Sequence, residues 1–355
     1  MIPKLELNKP APIAIGPEAQ SFTRGTDVAS TLEALKQGES VVVRGAYGSG
    51  VTLLKELHTD LKLSLPHKSL PEQRAYRAEY FSLSNRILLE ITDQELVVKK
   101  APAIGWLKEL YSDHDHFYLS FPQVQGLNSA WQWYERGVSL PVLRAKLHPY
   151  FGVYFPTRFE HLVLFEQWLK DYKGPKKTAI DVGVGCGVLS LQMIQKRWQK
   201  VYATDTNPNA IVGLTKFMGT TKLARKIKLD LGHLFGRWNT PTELIVFNPP
   251  WLPETHDAGT IDRAIYYDKF LFPEFFAEAK KRLLPDGKLV LMFSNLAQIT
   301  KVTTEHPIET ELAEGSRFKL EQCFKKPVGA ASGKTKRDQH WRSVEEVELW
   351  VLTHR

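Results

Sequence analysis

"TAIDVGVGCGVLSLQMIQKRW" runs from Thr178 to Trp198. A short apolar run breaks on Gly183, Gly185 and Gly187, and the chain then resumes with apolar residues at helical spacing. That order predicts a buried strand running into a glycine turn over 178–185, and a helix over 188–198. Glycine lets the backbone turn tightly and lets a ligand approach it closely. A glycine repeat alone is a weak signal. Here it stands between the strand and helix that such a turn requires.

The same alternation continues outward. "KVYATDTN" (200–207) reads as a second strand, and "PNAIVGLTKFMG" (208–219) as a helix opened by proline. "KIKLD" (226–230), "ELIVFNPP" (243–250) and "KLVLMFS" (288–294) read as three more strands, with a helix over 270–284. "FKLEQCF" (318–324) and "VEEVELWVLTH" (344–354) are the last two. A leading helix over 158–172 carries Leu162, Phe165 and Leu169 on one face. Strands alternating with helices predict a mostly parallel sheet covered on both faces. Three acids mark its carboxyl edge. Asp181 lies beside the turn, Asp205 ends the second strand about twenty residues on, and Asp230 ends the third. A carboxylate in the place of Asp205 can hold both hydroxyls of a ribose.

"LIVFNPPW" (244–251) ends the fourth strand in a rigid hook. Neither proline donates a backbone hydrogen bond, and both fix φ. A planar amine, whether on a base or in an amide, is a poor nucleophile because its lone pair is delocalised. Two fixed acceptors aimed at its N–H bonds favour a pyramidal nitrogen. Asn248 offers a side-chain carbonyl, Pro249 a backbone carbonyl, and Trp251 a flat face for stacking.

The glycine turn and the hook together resemble class I S-adenosylmethionine-dependent methyltransferases. Within these the chain is similar to the branch that methylates planar nitrogen: adenine-N6 and guanine-N2 nucleic-acid enzymes and release-factor glutamine methyltransferases. The resemblance covers about residues 147–355, and "GVYFPTRFEH" (152–161) resembles the stretch before the cofactor turn in that branch. It implies a Rossmann-like sheet of seven strands with the last antiparallel. It also implies S-adenosylmethionine held by Asp181, Gly183, Gly185, Gly187, Asp205 and Asp230, and a methyl group delivered to a planar amine at Asn248, Pro249 and Trp251.

Charge bears on the substrate. The net charge is +8, and residues 1–145 carry 16 basic and 16 acidic side chains against 31 and 23 in residues 146–355. A basic excess confined to one half favours an anionic partner, and RNA is the leading expectation. A protein glutamine is the alternative, and a catalytically inactive nucleic-acid-binding module a second alternative, which the intact Asp181, Asp205 and Asn248 argue against. The segment "KKPVGAASGKTKRDQHWR" (325–342) holds six basic residues against one acid, so Lys334, Lys336 and Arg337 are candidate phosphate contacts. Tyr266, in the polar stretch after the hook, is a candidate substrate contact.

Residues 1–145 read as a smaller α+β domain, with a strand over 40–45, a helix over 51–62 and a hairpin around "TDQE" (92–95). "GAYGSGVT" (45–52) has the glycine spacing of a phosphate-binding loop, but Val51 stands where its lysine belongs. The echo between "GSGVTLL" and "GCGVLSL" raises a degenerate copy of the catalytic domain as one origin for this half. "SDHDHF" (112–117) sends its acids and histidines to opposite faces of a strand, so no metal site is expected. Cys186 and Cys323 are the sole cysteines, which fits a reducing cytoplasm. No stretch reaches the ~18 apolar residues of a membrane span, and the first 20 residues lack a signal-peptide core.

Overall fold

The computed structural model describes residues 5–16, 19–66, 70–254, 265–315, 317–329 and 344–355. The chain divides into two compact units, one of residues 7–136 and one of residues 137–355 with the described residues before Leu7. The boundary expected at 145/146 therefore falls inside the larger unit. Val138 and Leu147 exchange backbone hydrogen bonds of 2.7 and 3.0 Å, and Val138, Leu140 and Val142 are buried in the larger unit's core.

The smaller unit is built on a mixed five-stranded sheet. Gln20–Phe22, Val41–Val43 and Ile87–Thr92 pair in parallel, and Ile87–Thr92 pairs antiparallel with both Glu95–Leu96 and His116–Ser120. The expected hairpin around 92–95 forms, with Asp93 and Gln94 both at positive φ (50° and 59°), as a two-residue turn of the mirror-image type requires. Its second strand is only two residues long. The glycine-rich "GAYGSGVT" makes no phosphate loop. It enters the helix Tyr47–Ser64, which starts four residues before the expected Val51. Gly50 is needed there because the Phe121 ring occupies the place of a side chain. His116 pairs with Glu90 at 2.9 Å and His114 with Asp113 at 2.8 Å. Among the described residues no group of three His, Cys, Asp or Glu side chains is placed to hold a metal ion.

The larger unit holds the seven-stranded sheet. Its strands are β1 (Thr178–Val182), β2 (Lys200–Asp205), β3 (Ile227–Leu231), β4 (Thr242–Phe247), β5 (Leu283–Ser294), β6 (Phe318–Pro327) and β7 (Glu346–His354). Their order is β6-β7-β5-β4-β1-β2-β3. β1 to β5 are parallel, and β7 is antiparallel to both β5 and β6, as expected for the last strand. Four helices matter to the site: α1 (Glu160–Asp171), α2 (Val188–Gln195), α3 (Pro208–Gly219) and α4 (Leu271–Arg282). Strand alternation divides the core. Ala179, Leu244, Val246, Val290 and Met292 face one cluster with Leu162, Phe165 and Leu169 of α1. Ile180, Val182, Ile245, Phe247, Leu289 and Leu291 face the other, with Phe272, Phe275 and Phe276 of α4. Asp181 and Asn248 continue the first of these alternations, so both belong to the α1 side. Among the described residues no helix is long and apolar enough to cross a membrane.

Candidate active site

The parallel register brings the strand ends together. Val182 lies opposite Thr204 and Phe247, and Thr204 lies opposite Asp230. The turn after β1, Asp205, Asp230 and Asn248 therefore share the carboxyl edge of the sheet, where open α/β sheets bind ligands.

Gly183, Gly185 and Gly187 all have positive φ, at 66°, 50° and 86°. A Cβ at Gly183 or Gly185 would meet nothing closer than 3.5 and 3.7 Å, so backbone conformation and not crowding calls for glycine there. Gly187 is different. It caps α2, and its Cβ would lie 2.6 Å from Leu214 Cδ2 on α3, so it also permits close helix packing. Val184 N–H donates to Thr204 O at 2.7 Å, which ties the turn to β2.

Asp205 holds the turn from the other side. Its two oxygens accept from Gly185 N–H at 2.7 Å and Asn207 N–H at 2.8 Å. Each oxygen keeps lone pairs for a further donor. Burial pushes its carboxyl above the usual range. Asp181 is fully buried. One oxygen accepts from Ser190 Oγ at 2.6 Å, and the other, Oδ1, has no partner. Burial raises this carboxyl to about 7. Asp230 turns into its own loop, where Arg237 N–H donates to it at 2.8 Å and the Arg237 guanidinium lies 3.2 Å away. Burial likewise raises the Cys186 thiol to about 12, which keeps it protonated. The segment before α1 is tied to the start of α3: Asn207 and Asn209 side chains donate to Gly152 O and Phe151 O, each at 2.8 Å.

At the hook, Pro249 is buried and Asn248 and Trp251 are half-buried. Trp251 Nε1–H donates to Asn248 Oδ1 at 3.2 Å. Its ring packs against both core clusters, so the expected stacking surface is also anchored in the core. The chain after the hook pairs Leu252–Pro253 with Tyr266–Tyr267, which places Tyr266 beside it. Tyr267 packs edge-on against Phe272 and serves the core. Lys334, Lys336 and Arg337 lie outside the described residues.

One site residue, the last of the stretch 152–161, was not singled out in the sequence. His161, on the first turn of α1, meets Trp251 edge-on, with centroids 5.4 Å apart and planes at 87°. It is 3% exposed, and neither ring nitrogen has a hydrogen-bond partner. Burial pushes its pKa down to about 4. Its neighbours hold segments flanking β7. Arg158 pairs with the buried Glu345, and Glu160 accepts from Gly329 N–H at 3.0 Å.

A glycine turn, an acid at the next strand end and an acceptor hook share one edge of this strand order. Residues 162–322 match the model of the methyltransferase small domain family. The chain is similar to three proteins in particular. One, from Methanocaldococcus jannaschii and assigned as a protein N5-glutamine methyltransferase, is 29% identical over 34% of this chain and 57% of its own. The release factor glutamine methyltransferase of Deinococcus radiodurans is 33% identical over 37% of this chain and 49% of its own. The tRNA1(Val) (adenine(37)-N6)-methyltransferase of Parabacteroides distasonis is 24% identical over 36% and 57%. The match thus spans about half the length of these relatives.

Proposed function

We propose that this protein transfers a methyl group from S-adenosylmethionine to a planar amino nitrogen, with an exocyclic base amine of RNA as the leading target. The observation that carries this reading is the shared edge. The ligand turn and the Asn248–Pro249–Pro250–Trp251 hook stand at the ends of adjacent strands β1 and β4.

The residues present fit the cofactor. The backbone of the Gly183–Gly187 turn is open to a ligand, Asp205 has lone pairs to spare for a diol, and the buried Asp181 Oδ1 is an acceptor with no partner. When bound, S-adenosylmethionine supplies an electrophilic sulfonium methyl. The chain's own contribution is to the amine. Asn248 Oδ1 and the Pro249 carbonyl accept its two N–H bonds and draw the lone pair out of the π system. The prolines hold these acceptors still, and positioning of this kind supplies much of an enzyme's rate. Trp251 offers a face to the base.

A protein glutamine is the second reading, favoured by the two glutamine methyltransferases among the relatives. Its amide presents the same pair of N–H bonds to the same acceptors. The deciding experiment is labelled methyl transfer into a lysate from a strain lacking the enzyme. Acceptance destroyed by RNase supports RNA. Acceptance that survives RNase and is lost to protease reverses the ranking, and no acceptance at all removes the reading.

A further inference from the structure

A neutral imidazole offers one donor and one bare acceptor, and both want partners. Leaving them unmade inside a protein costs stability, and a phenylalanine of nearly the same shape would avoid that cost. His161 has both nitrogens buried and unpartnered. Its ring nevertheless stands against one particular side chain, Trp251. Burial keeps that ring uncharged at neutral pH, so one nitrogen remains an acceptor.

Trp251 has a difficulty that this acceptor resolves. Its indole N–H now donates to Asn248 Oδ1 at 3.2 Å. In the proposed reaction the target amine aims at that same oxygen. Its two lone pairs can serve both donors, but sharing it with the indole weakens and misdirects the contact to the amine. An indole N–H carries one hydrogen and, once displaced in a half-buried site, must find another acceptor.

We propose that His161 is a positioning residue for methyl transfer: its ring nitrogen takes the Trp251 indole N–H when the target amine claims Asn248 Oδ1. The exchange makes one hydrogen bond for each it breaks, and no proton changes owner. It also fixes the indole while the base or amide lies against it. His161 touches neither substrate nor cofactor; it acts through Trp251. This inference rests on the reading of Asn248 as the amine acceptor.

The test uses the full chain, with the lysate of the deletion strain as methyl acceptor. His161→Phe keeps an aromatic ring and removes the acceptor. It should lower turnover about tenfold, the scale of one hydrogen bond, while calorimetric affinity for S-adenosylmethionine stays unchanged. Its melting temperature should rise, because two unpartnered nitrogens leave the core. His161→Gln, which restores an acceptor, should recover most of the lost turnover. A purely structural histidine predicts the opposite ranking, with Phe at least as active as wild type and Gln worse. Full turnover in His161→Phe, or no recovery in His161→Gln, overturns the inference. Should His161→Phe fail to bind the cofactor, His161→Leu takes its place under the same criteria. Asn248→Ala separates the two levels of argument. It should lose at least ~100-fold in turnover. Near-normal transfer by that variant discards the clamp itself and the role of His161 with it. A dead Asn248→Ala beside a fully active His161→Phe discards the role of His161 alone.

Discussion

At Asp181 a carboxyl group is fully enclosed, with one oxygen on Ser190 and the other without a partner. Burial lifts it to about 7 from an ordinary value of 3.8. The folded chain therefore holds this proton over a window in which the unfolded chain has released it. Its contribution to stability is complete below pH 3.8 and is lost as pH rises towards 7. Asp181→Asn keeps the shape and removes the titration. Melting temperature followed from pH 4 to pH 7 should fall less steeply in the variant than in the wild type. Identical slopes would show that Asp181 ionises freely. Asp205 has a different task, because its oxygens already hold Gly185 and Asn207. Asp205→Ala should weaken S-adenosylmethionine binding by about 1–3 kcal/mol, the scale of lost charged hydrogen bonds. Unchanged affinity in a folded variant would take Asp205 out of the site. Both acids were legible in the sequence from their places in and at the ends of strands. His161 was not. It follows Glu160 in a helix whose readable pattern is the apolar stripe at 162, 165 and 169, and its partner Trp251 is ninety residues away in sequence.

Among the elements, the β1–turn–α2 unit was read nearly as it stands, because strand period, glycines and helix period agree. The expected helix end at Trp198 is the exception. α2 stops at Gln195, and Arg197 at φ 71° turns the chain back towards β2. α3 falls on its expected residues, Pro208 to Gly219, because Asn207 caps it and Pro208 fits the first turn. The smaller unit was harder to read. Two of its strands are three residues long, too short for alternation to show, and Gly50 is explained by the distant Phe121. Gly187 joins the elements of the larger unit, since it serves as turn residue, cap of α2 and contact for α3. Gly187→Ala meets a left-handed φ of 86° and Leu214 at 2.6 Å together. It should destabilise the fold by about 1–3 kcal/mol from backbone strain, with packing cost added. Urea unfolding would read this as a lower midpoint at an unchanged slope. An unaltered midpoint would mean that α3 yields without cost.

Over the whole molecule, charge and topology bear on the partner. The basic excess lies in residues 146–355, and Lys334, Lys336 and Arg337 belong to it. If these three grip single-stranded RNA, log affinity falls with log salt by about 0.7 for each contact. Neutralising all three should flatten that slope by roughly 2 units and weaken many sequences alike, since phosphates carry no base identity. A slope that stays put would assign the RNA contacts elsewhere. The connection from β6 to β7 that carries these residues is fastened at both feet to the start of α1, by Glu160 on Gly329 and by Arg158 on Glu345. These two contacts tie the end of β6 and the start of β7 to α1. Doubling the length of a connection between two tied ends costs only about 0.6 kcal/mol. A chain lengthened between Gly329 and Val344 should therefore keep the sheet, the glycine turn and the hook in register.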